Sequence, residues 1–138
     1  MSRAALAPDA SWPTLRQGHR GRNVTTLQAL LRSHGYALDV DGVFGQGTLS
    51  KVRAFQANRG LAVDGVVGPN TWTAATPATV ARRGTKGWRA TAANSQVGIA
   101  SSTFGASSES AWRSLQRSLG LTADGVCGRE SLRSALLR

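Results

Sequence analysis

The chain has 138 residues and one cysteine, and its 17 basic residues against 7 acidic ones give a formal net charge of +10. That length suits one compact domain or two small lobes, and a lone cysteine excludes an internal disulfide. No apolar run approaches the roughly 18 residues of a membrane helix, so membrane insertion is not expected.

Residues 1–12 read as an N-terminal extension. The stretch from Met1 to Asp9 lacks the apolar core of a secretory signal. The expectation is a protein whose export signal was removed, or one released by a non-classical route after cytoplasmic storage. Asn23 is the expected N-cap of a first helix, with Val24, Leu27, Leu30 and Leu31 at helical spacing until Gly35. Thr48 to Arg59 sets Leu49, Val52, Phe55 and Gln56 on one side and stops at Gly60. Gly68-Pro69 opens a third short helix bearing Trp72. Trp88 to Gln96 is rich in Ala and Thr and reads as a weak helix with little apolar face. Ser108 to Leu119, with Trp112 and Leu115 inward, and Glu130 to Leu137 complete the set. The expected fold class is therefore all-α.

The pattern Asp-Gly-Val-x-Gly-x-x-(Thr/Ser) occurs three times, beginning at Asp41, Asp64 and Asp124. The first step is 23 residues and the second is 60, which reads as two turns inside one unit and then a duplication of the unit. Shifted by 60, the chain matches itself at Phe44/Phe104, Arg53/Arg113, Gln56/Gln116, Asp64/Asp124 and Gly65/Gly125. Upstream the register becomes 66, so Arg16 to Gly21 faces Arg82 to Gly87, and the expected fourth Asp-Gly has become Ser101-Ser102. The expectation is two tandem three-helix units, 13–76 and 77–138, the second eroded in its first helix. Each would bury only about 60% of its unfolded surface, so the lobes should support one another.

In each Asp-Gly turn the glycine permits a positive φ and the aspartate hydrogen-bonds its own turn backbone. Asp39-Val40-Asp41-Gly42 looks like the start of a calcium loop, but Val43 and Ser50 stand where that loop needs oxygen ligands. No metal and no cofactor are expected. Cys127 takes the place of Val67 and reads as a buried thiol. Catalysis finds no frame. His19 and His34 lack a zinc-peptidase pattern, Glu109 and Glu130 do not form a glycosidase pair, and no Gly-x-Ser-x-Gly elbow occurs.

Leu15-Arg16-Gln17-Gly18, Val24 to Leu31, Val40 to Gly45, Val52 to Gln56 and Val63 to Trp72 together resemble the peptidoglycan-binding domain family. The resemblance covers about residues 13–75, and an eroded form continues from Arg82 to Leu137. It implies a compact three-helix fold that grips wall peptide and sugar without cutting them. Carried onto this chain, its signature positions are Gln28, Asp41, Gly42, Phe44, Arg53, Gln56, Asp64, Gly65, Asn70 and Trp72. Arginines such as Arg53, Arg59 and Arg113 would pair stem-peptide carboxylates, glutamines would meet peptide amides, and Trp72 or Trp88 would offer a flat face to a sugar. The same positions also read as fold determinants. Gln56 can tie a loop backbone, and Phe44, Phe55, Trp72 and Trp112 suit a core.

The implied partner is peptidoglycan, with an attached hydrolase domain or a particle protein as a further partner. The alternative is a structural, adaptor or cargo component of a phage tail or contractile injection particle, using the repeat to meet protein. The charge is spread as 8 basic against 4 acidic residues through Ala75 and 9 against 3 beyond it. It favours anionic polymers in general, but no nucleic-acid-binding motif accompanies it and specific nucleic-acid binding is not expected.

Overall fold

The computed structural model describes residues 12–138. In chain order these are α1 Arg22–Ser33, α2 Gln46–Asn58, α3 Pro69–Ala75, β1 Thr79–Ala81, α4 Trp88–Gln96, α5 Ala106–Ser118, β2 Cys127–Gly128 and α6 Arg129–Leu137. The fold is all-α. Among the described residues the one sheet is the short antiparallel pair of β1 and β2, with Thr79 opposite Gly128 and Ala81 opposite Cys127.

Each helix follows from its apolar spacing. α1 buries Val24, Leu27, Leu30 and Leu31 completely, each such side chain contributing about 1.5–3 kcal/mol relative to exposure. α2 buries Val52 and Phe55, and α3, opened by Pro69 in its first turn, buries Trp72 and Ala75. Trp72 stacks on Trp12 with centroids 5.8 Å apart and planes 8° from parallel. Its indole N–H donates to the Pro13 carbonyl at 2.7 Å. The chain before α1 is thereby tied to α3, and an antiparallel bridge between Leu15 and Val67 lies beside that tie.

Two local expectations change. Asn23 does not cap α1: Gly21 holds that position at φ 120° and no side chain caps the end. Asn23 instead donates to the Leu136 carbonyl at 2.9 Å and accepts from Gln96 at 3.1 Å. Tertiary partners outcompete the local cap, because the start of the helix is already fastened by the bridge between Arg20 and Val43. The second correction concerns α4, whose Ala90, Ala92 and Ala93 are fully buried. Small side chains let it lie close against α1, so its packing comes from near approach rather than from large apolar groups.

The seam between α1 and α4 is polar and satisfied in part. Thr26 and Ser95 share a hydroxyl contact of 2.6 Å, and Gln96 donates to Thr26 at 2.8 Å. The start of α1 therefore meets the end of α4, so the two helices run antiparallel.

Backbone pairing recurs at the sequence offsets. Leu15 pairs with Val67 and Ala81 with Cys127, while Arg20 pairs with Val43 and Lys86 with Thr103. Gly18 donates to Phe44 O at 2.9 Å, and Gly84 donates to Phe104 O at 2.9 Å. Cys127 is fully buried in this frame, and burial pushes its thiol well above the ordinary range, so it packs as a small apolar side chain.

Candidate functional site

The Asp-Gly turns are each held by one buried amide. Gln28 on α1 donates its Nε2 to Asp41 Oδ1 at 3.1 Å, Val43 O at 3.0 Å and Thr48 Oγ1 at 3.0 Å. Its Oε1 accepts from the backbone N–H groups of Asp41 and Gly42, at 3.0 and 2.9 Å. Asp41 closes its own turn by accepting from Val43 N–H at 3.0 Å. Gly42 sits at φ 76°, and a Cβ there would meet Thr25 Oγ1 at 2.9 Å, so both backbone and space require glycine.

Gln56 on α2 repeats the device. It donates to Asp64 Oδ1 at 3.1 Å, Val66 O at 3.0 Å and Thr71 Oγ1 at 3.1 Å, and accepts from Gly65 N–H at 3.0 Å. Gln116 on α5 does the same with Asp124, Val126, Ser131 and Gly125, all between 2.9 and 3.0 Å. A related but different turn follows α4. Asn94 donates to the carbonyls of Ser101 and Thr103 at 3.0 Å each, and Ser101 Oγ replaces the aspartate by accepting from Thr103 N–H at 3.1 Å. One methylene shorter than glutamine, Asn94 leaves its own Oδ1 buried without a partner among the described residues.

The ten signature positions therefore separate. Gln28, Gly42, Phe44, Gln56, Gly65 and Trp72 are buried, while Asp41, Arg53, Asp64 and Asn70 are exposed. Gln28 and Gln56 spend their amides on the turns, and Trp72 spends its N–H on Pro13. None of these three presents a free polar group to a ligand. Arg53 lies across its turn, with Nε 3.3 Å from where a Gly65 Cβ would stand, and Arg113 lies likewise over Gly125 at 3.2 Å. Recurrence of that arginine thus has a packing cause.

Asp41 is exposed, and its carboxyl is held below the ordinary carboxylate value, first by the Val43 N–H and then by the Gln28 amide. A folded value lowered below the unfolded one gives stability that is complete above the unfolded value, near 4. That stability is lost as pH falls through the folded value. Thermal midpoints measured from about pH 7 down to about pH 2 should therefore fall below about pH 4. Asp41→Asn, which keeps the acceptor oxygen, should flatten part of that fall; identical curves would remove Asp41 from the acid response.

A cleft of about 720 Å³ lies between α1 and α4. Arg22, Thr25 and Arg32 come from α1, Trp88, Thr91 and Ser95 from α4, and the loops 38–40 and 98–102 close the sides. Trp88 is 38% exposed, and the Arg32 guanidinium lies 4.6 Å from its ring centroid. None of the ten signature positions lines this cleft. Sequence reasoning reached Trp88 as an aromatic face but missed Arg22 and Arg32. The available signal was the register of 66, which sets Arg22 opposite Trp88 and Thr25 opposite Thr91. Among the described residues no group of three or more His, Cys, Asp or Glu is placed to hold a metal ion.

Comparison with known proteins gives a family match over residues 20–75, to the family described as "Putative peptidoglycan binding domain". A spore cortex-lytic enzyme of Bacillus cereus is 45% identical over 58 residues, covering 41% of this chain and 22% of that protein. The N-acetylmuramoyl-L-alanine amidase CwlM of Mycobacterium tuberculosis is 33% identical over 149 aligned positions, covering 87% of this chain and 36% of the amidase. A crystal structure of a peptidoglycan-binding protein from Clostridioides difficile, in complex with glutamine hydroxamate, is 35% identical. It covers 47% of this chain and 41% of its own, with a TM-score of 0.46. The chain thus spans well under half the length of these two curated relatives. By the family match, it is the segment 20–75 that falls among the peptidoglycan-binding domains.

Proposed function

We propose that the chain binds bacterial cell-wall peptidoglycan without cutting it, and so carries itself or an attached hydrolase to the wall. The family match over residues 20–75 is the observation that carries this reading. An attached hydrolase is favoured because the cortex-lytic enzyme and the amidase are matched over only 22% and 36% of their lengths. A chain working at the wall acts outside the cytoplasm.

Residues 77–138 are, in this proposal, a second and altered copy of the unit at 13–76. Three observations support it: the paired bridges, the Gln116 turn that matches the Gln56 turn, and the amidase match. A match over 87% of the chain cannot be contained in residues 20–75. Of the signature positions, Asp41, Arg53, Asp64 and Asn70 are open to direct wall contact, and the buried ones act through the turns they hold. No observation favours the phage-tail or injection-particle alternative.

Cosedimentation with purified sacculi tests the reading. A charge of +10 adheres to any anionic polymer at low salt, so the informative condition is about 1 M salt, where the screening length is about 3 Å. Retention in the pellet there is expected. Release of all protein as salt rises would reduce the interaction to general electrostatics and sink the proposal.

A further inference from the structure

The cleft between α1 and α4 is built from matching positions of the two halves. Arg22 and Trp88 are 66 residues apart, as are Thr25 and Thr91, and Arg32 and Gly98, and all six line it. Because the helices run antiparallel, the ends of the cleft differ. At one end Arg32 lies over Trp88. Arg22 lines the cleft from the other end of α1.

Among the described residues the charges there lack carboxylate partners. Among the described residues neither Arg22 nor Arg32 takes part in an ion pair. Arg32 Nε is buried with no acceptor among those residues. Arg138 lies near enough that its guanidinium is held below the ordinary value, first by burial and then by the charge of Arg22. Among the described residues the cleft contains one carboxylate, Asp39, so its balance there is positive and it also offers one acceptor for an amide or ammonium group. Leu38, Val40 and Ile99 supply an apolar wall.

Two guanidiniums, an open indole and an apolar wall suit an amphiphilic ligand that carries a carboxylate. We propose that this cleft is the muropeptide site. The Trp88 ring covers the apolar face of an amino sugar, and Arg32 and Arg22, at opposite ends of the cleft, each take a separate stem-peptide carboxylate in forked hydrogen bonds. A carboxylate that draws Arg32 off the indole supplies the acceptor its Nε lacks and uncovers the ring. The inference rests on the wall-binding reading and deepens it, since more than half of the residues lining the groove lie beyond the family match.

Trp12, Trp72 and Trp112 are buried and Trp88 is exposed, so acrylamide quenching of the full chain reports on Trp88. A soluble disaccharide-peptide muropeptide, released from sacculi, is titrated against the wild-type chain and the Arg22→Ala and Arg117→Ala variants. Arg117 is exposed on α5 and lies outside the cleft, which makes its variant a charge-matched control. Expected is a saturable change in Trp88 quenching, weakened about tenfold or more in Arg22→Ala and within roughly twofold of wild type in Arg117→Ala. Trp88→Ala, followed by sacculus sedimentation, should lose a comparable share of binding with its thermal midpoint retained. A chitooligosaccharide without carboxylates should bind about tenfold more weakly than the muropeptide; equal binding would overturn the carboxylate assignment. If the wild-type chain sediments with sacculi while muropeptide leaves Trp88 quenching unchanged, or Arg22→Ala binds as wild type, the cleft assignment falls and the wall reading stands. A wild-type chain that fails to sediment removes the wall reading and this inference with it.

Discussion

Gln28→Glu should destabilise the chain by about 3–5 kcal/mol, although it changes no side-chain volume. The Gln28 amide donates to the Asp41 carboxylate, the Val43 carbonyl and the Thr48 hydroxyl. A glutamate would set a second acceptor, ionised at neutral pH, against the first two of them. Its Oε1 could still accept from Gly42 N–H, so the loss is one of donors and not of shape. Gln28→Ala should cost a similar amount by a different route, leaving the Gly42 N–H and the Val43 carbonyl without their buried partner. Urea unfolding followed by circular dichroism measures both. A loss below about 1 kcal/mol in each would mean that the turn holds itself and the amide is incidental.

Trp72→Ala should cost about 3–5 kcal/mol, the range for emptying a large aromatic site in a core. Trp72 is fully buried and stacked on Trp12, which would lose its partner ring. The Pro13 carbonyl would lose the N–H that joins the chain before α1 to α3. Trp72→Phe separates the two contributions, because it keeps an aromatic ring while removing the donor. Its cost should be about 1–3 kcal/mol, close to that of one buried acceptor left unpaired. Thermal unfolding of the two variants gives the comparison. Equal loss in both would assign the whole effect to the hydrogen bond and none to the stack.

How far the sequence could be read depended on the kind of interaction. Val24, Leu27, Leu30 and Leu31 announce α1 through their spacing, and every one of them is buried. Gln56 was legible as a residue that ties a loop, because it keeps a constant distance from a repeated Asp-Gly turn. Asn23 misled because capping is a local preference and its side chain found better partners across the chain, in Gln96 and the Leu136 carbonyl. The stretch from Trp88 to Gln96 misled for a related reason. An apolar-spacing test rewards large side chains, whereas the apolar side chains that α4 buries are the small Ala90, Ala92 and Ala93.

The candidate site shows the same division. The signature positions are prominent because they hold turns, and six of the ten are buried. Arg22 and Arg32 carry no local pattern that separates them from other surface arginines. They gain meaning only when α4 brings Trp88 and Ser95 to the same cleft.

Composition, helical spacing and the repeated Asp-Gly turn sufficed by themselves for the all-α class, the helix boundaries to within about two residues and the resemblance over the first half. Each of those depends on residues near one another in the chain, so a linear reading contains them. The antiparallel meeting of α1 and α4, the choice of Trp88 over Trp72 as the open aromatic ring, and the gathering of Arg22, Arg32 and that ring into one cleft were decided only by tertiary structure. They depend on contacts between residues some 56 to 73 positions apart, and no local propensity encodes which distant side chain occupies a given face.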